Sequence, residues 1–122
     1  LFIYKEELKE WDKRDDLELH LTVDTPIAGW SNLSGFVPAV TKELSPDPTS
    51  WCVVCGPPIM IKYTLPVLIE LGFKDHKIIT SLERRMKCGI GKCGRCNIGS
   101  KYICVDGPVF SFEEIKKIPE AL

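Results

Sequence analysis

The chain is expected to fold as an α/β protein: a parallel sheet with helices on both faces, followed by a small cysteine-rich segment. Three observations predict this. Apolar runs of strand character alternate with stretches of helical character along residues 1–83, the order of a helix-covered parallel sheet. Trp51-Cys52-Val53-Val54-Cys55 is apolar throughout and closed by Gly56, as expected of a strand buried on both faces. Four cysteines then crowd into the C-terminal third, among glycine and basic residues. The division that follows is an α/β part over 1–83 and a cysteine segment with a C-terminal helix over 84–122.

Taken in order, Leu1-Phe2-Ile3-Tyr4 is a short apolar run compatible with a strand. From Lys5 to Arg14, Leu8 and Trp11 stand three apart among Lys and Glu, the spacing of a helix with one narrow apolar face. Leu17 to Val23 alternates strictly, apolar on the odd positions, which predicts a strand ended by Asp24-Thr25-Pro26. Gly29 to Gly35 is a polar loop carrying Trp30, and Val37 to Leu44 suits a short helix with Pro38 in its first turn. After the break at Ser45-Pro46-Asp47-Pro48 comes the Trp51–Cys55 strand. Pro57-Pro58 can open a helix to about Gly72, with Ile59, Met60, Tyr63, Val67 and Leu71 among its apolar positions and Pro66 expected to kink or split it. Ile78 to Leu82 is a further strand, and the cysteine loop follows.

The cysteine spacing is the most specific signal. Cys88-x4-Cys93-x2-Cys96 followed by the distal Cys104 is the plant-type ligand pattern of a [2Fe-2S] cluster. Gly89, Gly91 and Gly94 allow a short loop to wind through positive φ, bringing backbone N–H groups close to the inorganic sulfides of such a cluster. Cys104 follows Tyr102-Ile103 and is expected to arrive from a strand. From Arg84 to Val105 the chain has six basic residues (Arg84, Arg85, Lys87, Lys92, Arg95, Lys101) and no acidic one, which suits an anionic cluster. A disulfide framework does not fit cysteines bunched in one loop of a chain with its own core. A structural zinc site, giving a zinc-stabilised interaction domain without redox activity, is the rival. Zinc ribbons favour two Cys-x2-Cys knuckles, however, and Cys52-x2-Cys55 lies in a strand-like run.

Composition bounds the class. With 122 residues, 27% charged, 44% hydrophobic and a net charge of −1, the chain reads as one ordinary globular domain with a small appendage. The near-neutral balance offers no argument for nucleic acid. No apolar run approaches the ~18 residues of a membrane span, and no secretory leader is visible. Unpaired cysteines without a leader point to a reducing cytoplasm. Opening on an apolar run rather than on Met, the chain reads as a piece of something longer.

In parallel α/β sheets, ligands sit at the carboxyl ends of the strands. The candidates are therefore Thr22 and Asp24 after one strand, and Cys55, Gly56, Pro57 and Pro58 after another. Asp24 is either a ribose acceptor or a turn residue before Thr25-Pro26. Trp30 either stacks on an adenine ring or packs on the nearby core. Neither histidine has a carboxylate arrangement suited to acid–base catalysis. Gly-x-Gly-x-x-Gly and Walker loops are both absent.

Cys55-Gly56-Pro57-Pro58-Ile59-Met60 resembles the CGPPxM signature of the NAD(P)-binding domain in the ferredoxin–NADP reductase superfamily. Ser81 to Cys96, continued by Cys104-Val105-Asp106-Gly107-Pro108-Val109-Phe110, resembles the cluster segment of one branch. That branch contains electron-transfer subunits: the gamma subunits of sulfhydrogenases, their anaerobic sulfite reductase relatives and the dihydroorotate dehydrogenase electron-transfer subunits. The resemblance spans nearly the whole chain. It implies a ferredoxin reductase-like NAD(P)-binding domain lacking its first strand, with Cys55 beside the nicotinamide and Gly56 and Pro57 allowing close backbone approach. It implies a [2Fe-2S] cluster on Cys88, Cys93, Cys96 and Cys104. FAD is implied in the intact subunit but not in this piece, and the partners implied are redox subunits of a hetero-oligomeric complex such as a hydrogenase. The bland alternative for Cys55 is a small buried hydrophobe.

Overall fold

The computed structural model describes residues 3–118. The expected first strand falls partly on Leu1 and Phe2, which lie outside the described residues. The backbone forms two compact units, Leu1–Phe36 and Val37–Leu122.

In the first unit, Tyr4 adopts a left-handed φ of +56° and leads directly into helix α1, Lys5–Trp11, so Ile3 and Tyr4 do not continue a strand. Glu6 and Glu7 in the first turn and Lys9 in the last complement the helix dipole. The alternating run 17–23 is a strand only at β1, Thr22–Val23, which pairs in parallel with β2, Leu33–Ser34. Alternation defines a face, but a strand extends only as far as a neighbour offers backbone partners. Here the neighbour is two residues taken from the loop expected to be irregular. His20 is solvent-exposed and lies 2.9 Å from Glu18. The Trp30 indole N–H donates to the Leu33 carbonyl at 2.8 Å, which holds the ring half-buried against its own loop.

The second unit opens with helix α2, Val37–Leu44, over the residues expected. Strand β3 spans Cys52–Cys55, helix α3 Pro58–Glu70, a 3-10 turn Asp75–Lys77 and strand β4 Ile78–Ser81. β3 and β4 pair in parallel, Cys52 opposite Ile78 through Cys55 opposite Ser81. The sheet is not wholly parallel, however. After two-residue strands β5 (Asn97–Ile98) and β6 (Lys101–Tyr102) and the one-turn helix α4 (Ile103–Asp106), strand β7 (Val109–Ser111) returns along β4 in antiparallel register. The order is β3-β4-β7. Without β7, the free edge of β4 would carry unpaired N–H and C=O groups. Three residues were too few for their pattern to announce this strand. Helix α5, Phe112–Ile115, closes the described chain on a Ser111–Glu114 capping box.

β3 is buried on one face only, contrary to the reading of its apolar run. Its period of two turns Cys52 and Val54 toward the core and Val53 and Cys55 away, with Val54 6% and Val53 71% exposed. α3 buries one stripe of its apolar residues. Ile61, Thr64, Leu65 and Leu68 face the core at helical spacing, whereas Ile59 and Tyr63 are exposed. The helix is apolar nearly all round, so its sequence alone could not choose a face. Pro66 does not split it. A mid-helix proline costs ~3 kcal/mol, and burial of Leu65 and Leu68, at ~1.5–3 kcal/mol each, is enough to hold the helix across it.

One core runs from the sheet into the cysteine segment. Val54, Ile61, Leu65, Leu68, Phe73, Ile78 and Leu82 join Cys96, Ile98, Ile103, Phe110 and Ile115 in a single cluster. Gly107 leaves room for the Phe110 ring, since a Cβ there would lie 2.5 Å from its Cε2. Thr80, on β4, is fully buried with an Oγ1 that meets no partner among the described residues. A buried hydroxyl without a partner costs about 1–3 kcal/mol. Thr80→Val keeps the shape and removes the hydroxyl, so thermal unfolding of the variant should occur a few degrees higher, by about 1 kcal/mol.

Candidate functional site

The cysteine loop is built from backbone donors. Between Cys88 and Cys96 the chain forms no regular element, and Gly89, Gly91 and Gly94 sit at φ of +72°, +70° and +71°, as their type and spacing required. This winding turns a row of N–H groups inward. Cys88 Sγ accepts from the N–H of Ile90 at 3.5 Å and from those of Lys92 and Cys93 at 3.4 Å each. Gly91 N–H donates to Cys104 Sγ at 3.3 Å. Gly91 also lies against Val105, whose Cγ2 would be 3.0 Å from a Cβ at that position.

The far side of the loop is closed by a hairpin that the sequence reading did not foresee. β5 and β6 pair antiparallel, and the Ile103 N–H donates to the Cys96 carbonyl at 3.1 Å. Asp106 accepts from the Tyr102 N–H at 2.7 Å and pairs with Lys101 at 3.3 Å, clamping the hairpin to α4. Gly99, at φ +51° between two short β-prone pairs, is the signal that could have revealed the turn. Cys104 therefore sits on the first turn of α4 rather than on a strand. Its Sγ lies 3.3 Å from that of Cys96.

The sulfurs of Cys96 and Cys104 lie together, and Cys88 Sγ accepts from the Cys93 N–H. Cys96 is buried, Cys88 and Cys104 are half-buried, and Cys93 is exposed. Among the described residues, no three His, Cys, Asp or Glu side chains gather around one point. A binuclear cluster takes two thiolates on each iron and needs no such point.

The N–H donors of Ile90, Cys93 and Lys92 pull the Cys88 thiol down to about 6, so that it is a thiolate at neutral pH. Cys104 moves the other way, held up by its hydrogen bond with Cys96 and by burial. In the metal-free protein, alkylation of Cys88 should therefore rise with pH to half its maximum near pH 6, well before Cys104 reacts. Mass spectrometry of iodoacetamide-treated protein across pH 5 to 9 checks this. Equal labelling of the two cysteines at pH 7 would contradict the geometry.

Cys55, Gly56, Pro57 and Pro58 form the junction between β3 and α3. Cys55 ends the strand on its open face, exposed, while burial pushes the Cys52 thiol up and keeps it with the core. Pro57 is the N-cap of α3 and Pro58 its first residue. Neither carries an N–H, so this helix start lacks two of the donors a phosphate would use and suits an uncharged ring. The Met60 side chain lies over Gly56, its Cε 2.5 Å from where a Cβ would be.

Thr22 and Asp24 lie in the other unit. The Thr22 hydroxyl donates to the Gly35 carbonyl at 2.9 Å, tying β1 to the end of the loop after β2, and Asp24 is exposed in the bend after β1.

Comparison with known proteins agrees with this architecture. Residues 1–65, just over half of the chain, match the oxidoreductase NAD-binding domain, and residues 83–116 match the iron-sulfur cluster binding domain of dihydroorotate dehydrogenase B. The chain belongs to the family of oxidoreductase NAD-binding domains. It is 40% identical to the sulfhydrogenase 1 subunit gamma of Pyrococcus furiosus over all of its own length and 44% of that protein. It is 35% identical to a probable dihydroorotate dehydrogenase B electron transfer subunit of Methanocaldococcus jannaschii, over 95% of this chain and 44% of the other. A solved structure of an NADH-dependent reduced ferredoxin-NADP oxidoreductase matches with a TM-score of 0.60 and 29% identity, over 88% of this chain and 39% of that one. The chain thus spans less than half the length of these relatives. No helix among the described residues is long and apolar enough to cross a membrane.

Proposed function

We propose that this chain is the NAD(P)-binding and cluster-binding part of an electron-transfer subunit, passing electrons between NAD(P)H and a partner subunit of a redox complex such as a hydrogenase. The observation that carries the reading is the thiol loop. Four cysteines gather on and beside a glycine-wound turn, and the sulfurs of Cys88 and Cys104 receive backbone N–H donors, the environment that an iron–sulfur centre takes. Cys88, Cys93, Cys96 and Cys104 are its ligands in this proposal. A [2Fe-2S] cluster bound there supplies one-electron storage between a two-electron hydride carrier and a one-electron partner.

The remaining residues divide the work. The α/β part, 1–83, is read as the ferredoxin reductase-like NAD(P)-binding domain without its first strand, and 84–122 as the cluster segment. Cys55, at the end of β3, would position the nicotinamide ring, with Gly56 and the Pro57-Pro58 start of α3 allowing close backbone approach. Thr22 keeps β1 and its loop in place through its bond to Gly35, leaving Asp24 exposed for a ribose hydroxyl. FAD belongs to the intact subunit and not to these residues, and the setting is cytoplasmic.

The full-length protein, purified without oxygen, decides the matter. Expected are about two iron and two acid-labile sulfide per chain, with visible absorption that bleaches on addition of NADH or NADPH. Stoichiometric zinc without sulfide would instead establish the zinc-stabilised interaction domain.

A further inference from the structure

We infer that the exposed rim of the cysteine loop is the port through which electrons enter or leave, and that it fits a partner surface that is acidic around an apolar centre. This rests on the proposed cluster site and adds the partner's chemistry to it.

The first observation is charge. Arg85, Lys87, Lys92 and Arg95 are exposed around the four cysteines, with Arg84 half-buried beside them, and residues 84–105 carry no acidic side chain at all. The four exposed cations alone outnumber the charge of about −2 that four thiolates, two sulfides and two ferric ions leave behind. The rim therefore remains positive with the centre in place, a stronger field than is needed to neutralise it.

The second observation is apolar exposure in the same place. Ile90 and Val105 are each 62% exposed and Met86 60%. Two of these are fixed against the sulfurs by contacts already described. Ile90 and Lys92 flank Cys88 through their own N–H groups, and Val105 follows Cys104 and packs on Gly91. Large apolar side chains interleaved with cations, beside an exposed Cys93, form a surface that loses little by being covered. Ile90, Val105 and Met86 are thus exposed within the same segment as the cations and the thiols. Charge steers the encounter and the apolar centre holds it. Burial of thiols at such a contact also puts the two redox centres at short range.

The test uses full-length, cluster-loaded protein reduced by one electron and mixed rapidly with outer-sphere oxidants of opposite charge. In each reaction the protein loses one electron and Co(III) becomes Co(II). Oxidation by tris(oxalato)cobaltate(III) should slow as salt is raised, and oxidation by hexaamminecobalt(III) should quicken. The Arg85→Glu, Lys87→Glu, Lys92→Glu variant should reverse both salt trends and lower the rate with the anionic oxidant about tenfold. With a small acidic ferredoxin as protein probe, Met86→Gln, at an exposed position outside the donor set of the loop, should slow electron exchange several-fold while leaving the cobalt rates unchanged. Should wild-type protein show no salt dependence with either complex, the rim is only a hydrated loop and the inference fails, whether or not the charge variant folds. It fails too if Met86→Gln leaves the ferredoxin rate intact. Wild-type protein without iron and sulfide overturns the proposed function itself, and the port with it.

Discussion

Cys93→Ala and Cys96→Ala should each take the iron and sulfide content of the full-length protein from about two per chain to near zero, with loss of the visible absorption. The two variants should differ when the metal is absent. Cys96 is 2% exposed within the core cluster, and its carbonyl accepts from Ile103, so removing its sulfur opens a small cavity beside Ile98 and Ile103. The metal-free Cys96→Ala protein should be destabilised by about 1 kcal/mol. Cys93 is exposed, so its metal-free variant should unfold with the parent. Iron and sulfide analysis together with denaturant melts of both forms separates the roles. Retention of a full complement of iron in either variant would remove that cysteine from the ligand set.

The second large effect concerns Cys55. In the full-length protein, Cys55→Ala should lower hydride transfer from NAD(P)H about 100-fold while leaving the iron–sulfur spectrum intact. The cause is positional. Cys55 ends β3 on the open face, immediately before the Gly56-Pro57-Pro58 turn, where Pro57 and Pro58 carry no N–H to fix a bound ring in its place. A ring allowed to drift by an ångström loses most of its reactive geometry, whereas the affinity for the whole dinucleotide changes little. Stopped-flow reduction of the flavin, measured beside the dinucleotide dissociation constant, reads both quantities. A fall in affinity with an unchanged transfer rate would make Cys55 an ordinary wall of the pocket.

Local chemistry accounts for what was legible in the residues alone. The positive φ of Gly89, Gly91 and Gly94 follows from residue type and spacing. Helix α2 began at Val37 and ended at Leu44 as its spacing and Pro38 required, and α3 started where Pro57-Pro58 allowed. The parallel pairing of Cys52–Cys55 with Ile78–Ser81 was expected of two apolar strands flanking a helix. The run of cations beside the thiols needed only to be counted.

Tertiary packing decided the rest. The run 17–23 alternates well, yet only Thr22 and Val23 are strand, because β2 offers two residues of backbone and no more. The stripe Ile61, Thr64, Leu65 and Leu68 went inward on α3 because β3 and β4 supplied the surface it covers, a choice that a helix apolar on every side cannot announce. Val109-Phe110-Ser111 became a strand only because the hairpin and α4 delivered it to the open edge of β4. The same delivery put Cys104 on a helical turn, 3.3 Å from Cys96. By itself the sequence determined which thiols and which glycines make the loop, since ligand chemistry and φ are local properties. Which sulfurs are paired, buried or exposed was decided by the fold, because burial and distance depend on contacts between segments far apart in the chain.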